Sequence, residues 1–315
     1  MKMRLTFLAV ALMALVSCSK YDIGEVEAGS GNVNFTIQTP GVGTKSIGDG
    51  ENINVVYYEI YKAEANHKNS VNGGVPLIDG LTTMSGKEAS LSLRLLDDQT
   101  YVGLFWAQVG DANVNKFYDV TDLRNVTANY TDAEGKAILG NNESRAAFCE
   151  AVKFTTDNGK ITVELVRPFA QLNLGTTKES VDLDYHIELE ESKMLISGVA
   201  KSYNVAQMAA GSEQLEVLFD FGAVPQQMLQ VKDVFYAYAG MNYFFVPADE
   251  ANINLVYDIK TDVGTVNRSV SSVPVKTNHR TNILGNLLTK ETVIEIVVEK
   301  GFVEDDSFEG NEIIN

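Results

Sequence analysis

The chain has 315 residues, 45% hydrophobic and 21% charged, which is length for about two domains with real cores and too apolar for a disordered chain. Forty-two acidic against 25 basic residues give a net charge of −17, which argues against nucleic acid as a partner. Two cysteines, Cys18 and Cys149, cannot build a disulfide scaffold, and the membrane-like apolar run at 5–16 is too short to span a bilayer.

Residues 1–4 are short and cationic and residues 5–16 are apolar, the pattern of a secretory signal. The end of that segment, Leu15-Val16-Ser17-Cys18, resembles the lipobox of bacterial lipoproteins, in which a small residue precedes the cysteine that is lipidated and becomes the new N-terminus. Cys18 is therefore the expected lipid-attachment residue; an ordinary signal peptide with a chance cysteine is the alternative. Removing residues 1–17 takes away Lys2 and Arg4 and moves the charge from −17 to −19. A diacylglycerol with an amide-linked chain is enough for stable anchoring. Residues 18–32, rich in Gly and acids, read as a flexible tether.

Residues 33–39 alternate strictly, with Val33, Phe35 and Ile37 on one face, as a half-buried strand does. Residues 40–50 are dense in turn residues and form a loop. Further strands are expected at 54–61, 89–95, 100–109, 161–165 and 169–174. The second half continues with 185–190, 215–221, 234–239, 243–246, 252–260, 266–275 and 292–299. Only 202–210 is expected as a short helix. Many short strands with turns between them argue for an all-β sandwich or barrel. Apolar character fades over 172–180, which places a domain boundary near residue 175, between domains at 33–175 and 176–315.

Gly41-Val42-Gly43-Thr44-Lys45-Ser46 has the outline of a phosphate loop, but Thr44 stands where glycine is needed and Ile47-Gly48-Asp49-Gly50 cannot open a helix. His67, His186 and His279 have no partners at zinc-site spacing, and neither a Gly-x-Ser-x-Gly elbow nor His-Glu-x-x-His occurs. A carboxylate pair on loops would leave no short motif. No catalytic residue, metal or cofactor is assigned, and an enzyme is not expected. Tyr236, Tyr238 and Tyr243 suit a β-sandwich core or an exposed sugar platform. An exposed aromatic row would mark a glycan-binding surface lipoprotein of a polysaccharide-uptake system; burial would count against it.

Several stretches, taken in order, resemble the fimbrillin-family lipoproteins of Bacteroidales, the subunits and relatives of type V pili. They are 33–61 with Thr44-Lys45-Ser46-Ile47-Gly48-Asp49-Gly50 in its loop, 166–174 beginning Val166-Arg167-Pro168-Phe169, and 275–288 followed by the last strand and 301–306. The resemblance implies two tandem transthyretin-like β-sandwich domains, no enzymatic activity, and export as a lipid-anchored protein of the outer membrane, exposed at the surface or built into a fimbrium. In polymerising members it also implies trypsin-like cleavage in the N-terminal loop. The cut frees an N-terminal strand, here carrying Val33, Phe35 and Ile37, and the vacated groove accepts a strand from the next subunit by β-strand addition. Partners would be other fimbrillin subunits or copies of this chain, and a host or bacterial surface ligand. Polymerising members usually carry Arg in that loop, whereas the basic residue here is Lys45, so the candidate processing site lies between Lys45 and Ser46. An uncut anchor, a tip-like adhesin and a non-polymerising relative are the alternatives.

Residues 292–299 place Ile294, Ile296 and Val298 on one face and Val293, Glu295, Val297 and Glu299 on the other. The first set suits a groove emptied of Val33, Phe35 and Ile37, which makes this the candidate donor strand. The second set is expected to meet water, and 304–306 to be a solvated acidic tail. The alternative is that the strand closes the second sandwich of its own chain. A one-residue slip would bury Glu295 and Glu299.

Overall fold

The computed structural model describes residues 30–40, 47, 50, 52–63, 74–110, 117–177, 187–288, 294–300 and 308–314. As the alternation predicts, the fold is all-β; helix among the described residues is confined to two 3-10 turns, Glu143–Arg145 and Thr156–Asn158. The first strands are β1 (Ser30–Gln38), β2 (Val55–Lys62), β3 (Ile78–Thr83), β4 (Glu88–Leu96) and β5 (Thr100–Gln108). Then come β6 (Tyr118–Asp119), β7 (Val126–Ala128), β8 (Ala147–Thr155), β9 (Lys160–Glu164) and β10 (Ala170–Thr177). The next are β11 (Leu189–Ala200), β12 (Ser202–Asn204), β13 (Ala209–Ala210), β14 (Gln214–Ala223) and β15 (Met228–Val231). The last are β16 (Val234–Phe244), β17 (Glu250–Thr261), β18 (Gly264–Lys276), β19 (His279–Gly285), β20 (Ile294–Lys300) and β21 (Phe308–Ile314).

In the N-terminal half, sheet β3-β2-β5-β8 packs on sheet β4-β1-β9 through Phe35, Phe105 and Phe154. Its other face is covered as well. There Trp106 meets Tyr118 at 5.2 Å and Phe245 at 6.3 Å between ring centroids. Burial on both faces explains why β5 reads as a continuous apolar run and not as an alternation. The small sheet β13-β12-β7-β6 adds Tyr203, whose ring lies 5.6 Å from that of Phe245.

In the C-terminal half, sheet β14-β11-β17-β18 packs on the six-stranded sheet β15-β16-β10-β19-β20-β21. Inward residues of β17 (Ile253, Leu255, Tyr257, Ile259) meet Leu172, Leu174, Phe244 and Ile283 in the second core. The opposite face of the six-stranded sheet joins the first core through Tyr238, Met241, Tyr243 and Leu284. Over β10, β19 and the second part of β16 this sheet is thus a middle layer buried on both faces, while its β15 edge meets water with Met228, Val234 and Phe235 exposed.

Three expectations are corrected. Residues 202–210 form the hairpin β12–β13, not a helix: Tyr203 and Val205 are both buried, and the Gln207 N–H donates to Asn204 Oδ1, closing a turn at Met208 with φ of 51°. The two strands expected at 234–239 and 243–246 are one, β16, interrupted by a bulge opposite Leu174 and Gly175. The strand expected at 185–190 begins at Leu189 and runs to Ala200; bulges at Ser192/Met194 and Ser197/Val199 hide its alternation. The residues after the expected last strand also form a strand, β21, which pairs antiparallel with β20.

Candidate functional site

β1 is a central strand. It pairs antiparallel with β4 over nine residues, from Ser30↔Leu96 to Gln38↔Glu88, and parallel with β9 over five. Val33 and Ile37 are fully buried and Phe35 is 1% exposed. The Phe35 ring lies 5.0 Å from Phe154, edge-on, and 5.4 Å from Phe105. Burying three such side chains contributes about 5–9 kcal/mol of apolar transfer. The outward face is polar: Ser92 Oγ donates to Asn34 Oδ1 at 2.7 Å, and the Asn34 N–H reaches the Gly159 carbonyl at 2.8 Å. Gly31 admits no side chain, since a Cβ would lie 2.7 Å from Asp97 Oδ1 and 2.8 Å from Thr156 Cβ. Beyond the strand Pro40 is described, and Ile47, 2% exposed, re-enters the core. Lys45, Ser46 and Cys18, with the segment 1–29, lie outside the described residues.

The candidate donor residues lie in β20, which pairs antiparallel with β19 of its own chain from Gly285↔Ile294 to His279↔Lys300. Ile296 sits in the second core at 1% exposure, flanked by part-buried Ile294 and Val298. The other face departs from expectation. Val297, expected to meet water, is 1% exposed and packs in the first core, and Glu299 is only part-exposed. The middle-layer position of the sheet is the physical reason.

A polar row crosses that same face. Gln171 Nε2 donates to Asn173 Oδ1 at 2.9 Å, Asn173 Nδ2 to Asn282 Oδ1 at 2.7 Å, and Asn282 Nδ2 to Glu299 Oε2 at 2.8 Å. Burial pushes the Arg280 guanidinium down in pKa, while Tyr238, Glu299 and Tyr243 favour its charge. Burial also raises the Tyr238 phenol to about 12, against the pull of Arg280. Gln171, Asn173, Arg280 and Asn282 were not legible as a site: the first two read as the polar side of an expected strand, and the other two lay outside every expected strand.

Elsewhere, a cleft of about 710 Å³ is lined by Arg167, Tyr203, Met208, Asp249, Lys276 and Asn278 among others. At its rim Lys276 Nζ pairs with Glu250 at 2.7 Å. His279 is 8% exposed, with Nδ1 against the Thr277 carbonyl at 2.8 Å, while His67 and His186 lie outside the described residues. Burial holds the Cys149 thiol well above its ordinary pKa, as a core cysteine. Among the described residues no three His, Cys, Asp or Glu side chains are grouped to hold a metal ion, and no helix is long and apolar enough to cross a membrane. Tyr238 and Tyr243 are 5% and 1% exposed and Tyr236 is part-buried, so these three do not form an exposed aromatic platform.

A model of a family of unknown function (DUF6562) matches residues 25–315. No curated protein matches the chain. Among solved structures, a candidate cell adhesion protein of Bacteroides ovatus has a TM-score of 0.51 at 10% identity, over 88% of this chain and 100% of that one. A fimbrial assembly protein of Parabacteroides distasonis has a TM-score of 0.46 at 14% identity, over 86% and 96%. A candidate polysaccharide-binding protein of Bacteroides thetaiotaomicron has a TM-score of 0.45 at 13% identity, over 90% and 98%. At these identities the likeness is one of fold.

Proposed function

We propose, for a chain that belongs to the family of unknown function DUF6562, the role of a lipid-anchored cell-surface adhesin and assembly subunit that works by exchanging strands and not by catalysis. The observation that carries this reading is the seat of β1. It is a central strand whose apolar row is fully buried, and the chain leaves it through a segment whose basic residue is Lys45. Cutting there would leave β1 held by no covalent bond to its sheet, and its departure would open two facing strand edges and a row of apolar pockets. Such a groove accepts an extended segment through main-chain hydrogen bonds, with alternate side chains giving specificity. The fold shared with a candidate adhesion protein of Bacteroides ovatus supports a place at the cell surface. Cys18 is the residue assigned to the lipid of the uncut chain, an anchor that a cut after Lys45 severs, and further copies of this chain or related subunits are the assigned partners.

The test uses cells producing the wild type, Lys45→Ala and Cys18→Ala, labelled with an alkyne palmitate. The expected result is label lost in Cys18→Ala, together with high-mass ladders whose subunits begin at Ser46 by mass spectrometry. Lys45→Ala should abolish those ladders and leave chains that begin at Cys18. Ladders that persist in Lys45→Ala, or a wild type that never forms them, would overturn the assembly role; equal label in Cys18→Ala would overturn the anchor.

A further inference from the structure

The polar row on the middle sheet has a direction. Gln171, Asn173 and Asn282 are each fully buried, and each amide N–H donates onward towards β20, where the last acceptor is the Glu299 carboxylate. In cross-strand register Gln171 lies beside Arg280 and Arg280 beside Glu299, so the same carboxylate also faces the buried guanidinium. Buried amides and cations are costly unless acceptors are in place, and a line of aligned donors strengthens the bond at its end.

The apolar side of β20 cannot fix its own position. Ile294, Ile296 and Val298 are similar in size and shape, so a slip of two residues along β19 keeps an aliphatic side chain at most places in the second core. On the other face the same slip takes the carboxylate away from Arg280 and leaves Val297 or Gly301 opposite it. Information about register therefore resides in the polar face.

We propose that Glu299 is a latch: its carboxylate terminates the Gln171–Asn173–Asn282 row, faces Arg280, and holds the hairpin β20–β21 in its own sheet in a single register. It is a positioning residue for the hairpin. The latch goes beyond the role argued above and stands whether or not the hairpin is ever donated, so failure of one leaves the other intact.

The experiment is hydrogen exchange followed by mass spectrometry on the full chain, comparing wild type, Glu299→Ala, Glu299→Gln and, as a control on the same strand and face, Glu295→Ala. Glu299→Ala should speed exchange in 294–300 and 308–314 by about tenfold or more while β11 and β17 stay protected. Glu299→Gln keeps an acceptor for Asn282 but loses the charge facing Arg280, and should speed the same peptides about threefold or more. Glu295→Ala should match the wild type. Equal exchange in the Glu299 and Glu295 variants, or opening of β11 and β17 in step with the hairpin, would overturn the latch. If Glu299→Ala does not fold, the comparison of Glu299→Gln with Glu295→Ala decides alone.

Discussion

Asn141 shows how much one side chain can hold. It has a φ of 60°, a left-handed conformation that Asn tolerates better than most residues. Its Oδ1 accepts from the Met241 N–H at 2.8 Å, and its Nδ2 donates to the Gly222 carbonyl at 2.7 Å and to Ser192 Oγ at 3.0 Å. One residue of the N-terminal half thus ties β11, β14 and β16 together. Asn141→Ala should cost about 2–4 kcal/mol in urea unfolding, and Asn141→Gly somewhat less because glycine adopts that φ freely. Glu59 makes a second residue-scale case. It is 6% exposed, accepting from Tyr61 Oη at 2.7 Å and from the Leu123 N–H at 3.0 Å. Burial pushes its carboxyl above the ordinary 4.5, outweighing the hydrogen bonds that pull it down. The folded chain therefore binds that proton more tightly than the unfolded one. The stability it lends is complete below pH 4.5 and is lost as pH rises through the raised folded value. Urea unfolding from about pH 4 to pH 7 should show the wild type losing stability relative to Glu59→Gln as pH rises. Val33, Phe35 and Ile37 were legible as an inward row because alternation is local. Asn141 and Glu59 were not, since their partners lie up to 101 residues away in sequence.

Among the elements, the segment carrying Asn141 acts as a strap along β14. The Gly140 N–H donates to the Asp220 carbonyl at 2.8 Å and the Asp220 N–H to the Ile138 carbonyl at 2.7 Å, giving that strand a backbone partner on its outer side. A Cβ at Gly222 would run into the Gly140 backbone. Gly222→Ala should therefore push the strap off, costing about 1–3 kcal/mol and raising hydrogen exchange across residues 137–142 and 217–222. The elements that sequence made legible include those with one wet face, such as β1, β14 and β17, and the long apolar runs β5 and β10. Those it hid include the short strands β3 and β15 and some strands that are wet on neither face. β8 (with Phe148, Cys149 and Ala151) and β19 (with Thr281, Asn282 and Ile283) break the rule of alternation because both their sides are buried. β19 also carries buried polar residues, which their partners explain: Thr281 donates to the Pro274 carbonyl, and Asn282 accepts from Asn173 and donates to Glu299.

At the scale of the molecule the two halves are joined by an aromatic cluster rather than merely linked. Phe245, just beyond β16, touches Trp106, Tyr118 and Tyr203, with centroid distances of 6.3, 5.9 and 5.6 Å. Trp106 is the single tryptophan of the chain, fully buried, and so reports on both halves at once. Its fluorescence and the far-ultraviolet circular dichroism should follow one urea transition. Phe245→Ala should lower the midpoint, by about 3–5 kcal/mol in stability, and separate the two signals as the halves uncouple. A wild type that already unfolds in two steps would contradict that coupling.

The walls around β1 also carry a consequence for polarity. The β4 wall offers nine antiparallel pairs and the β9 wall five parallel ones. Antiparallel ladders are the more stable per residue, so the longer wall has the stronger kind of pairing only when the occupant runs in the direction of β1. A reversed occupant would put the weaker kind on nine pairs and the stronger on five. A segment that replaces β1 is therefore favoured with its N-terminal end beside Leu96 of β4 and its C-terminal end beside Glu88. A row of molecules joined this way is vectorial: every joint points the same way, its two ends are chemically unlike, and it lengthens by presenting an open groove at one end and a free strand at the other.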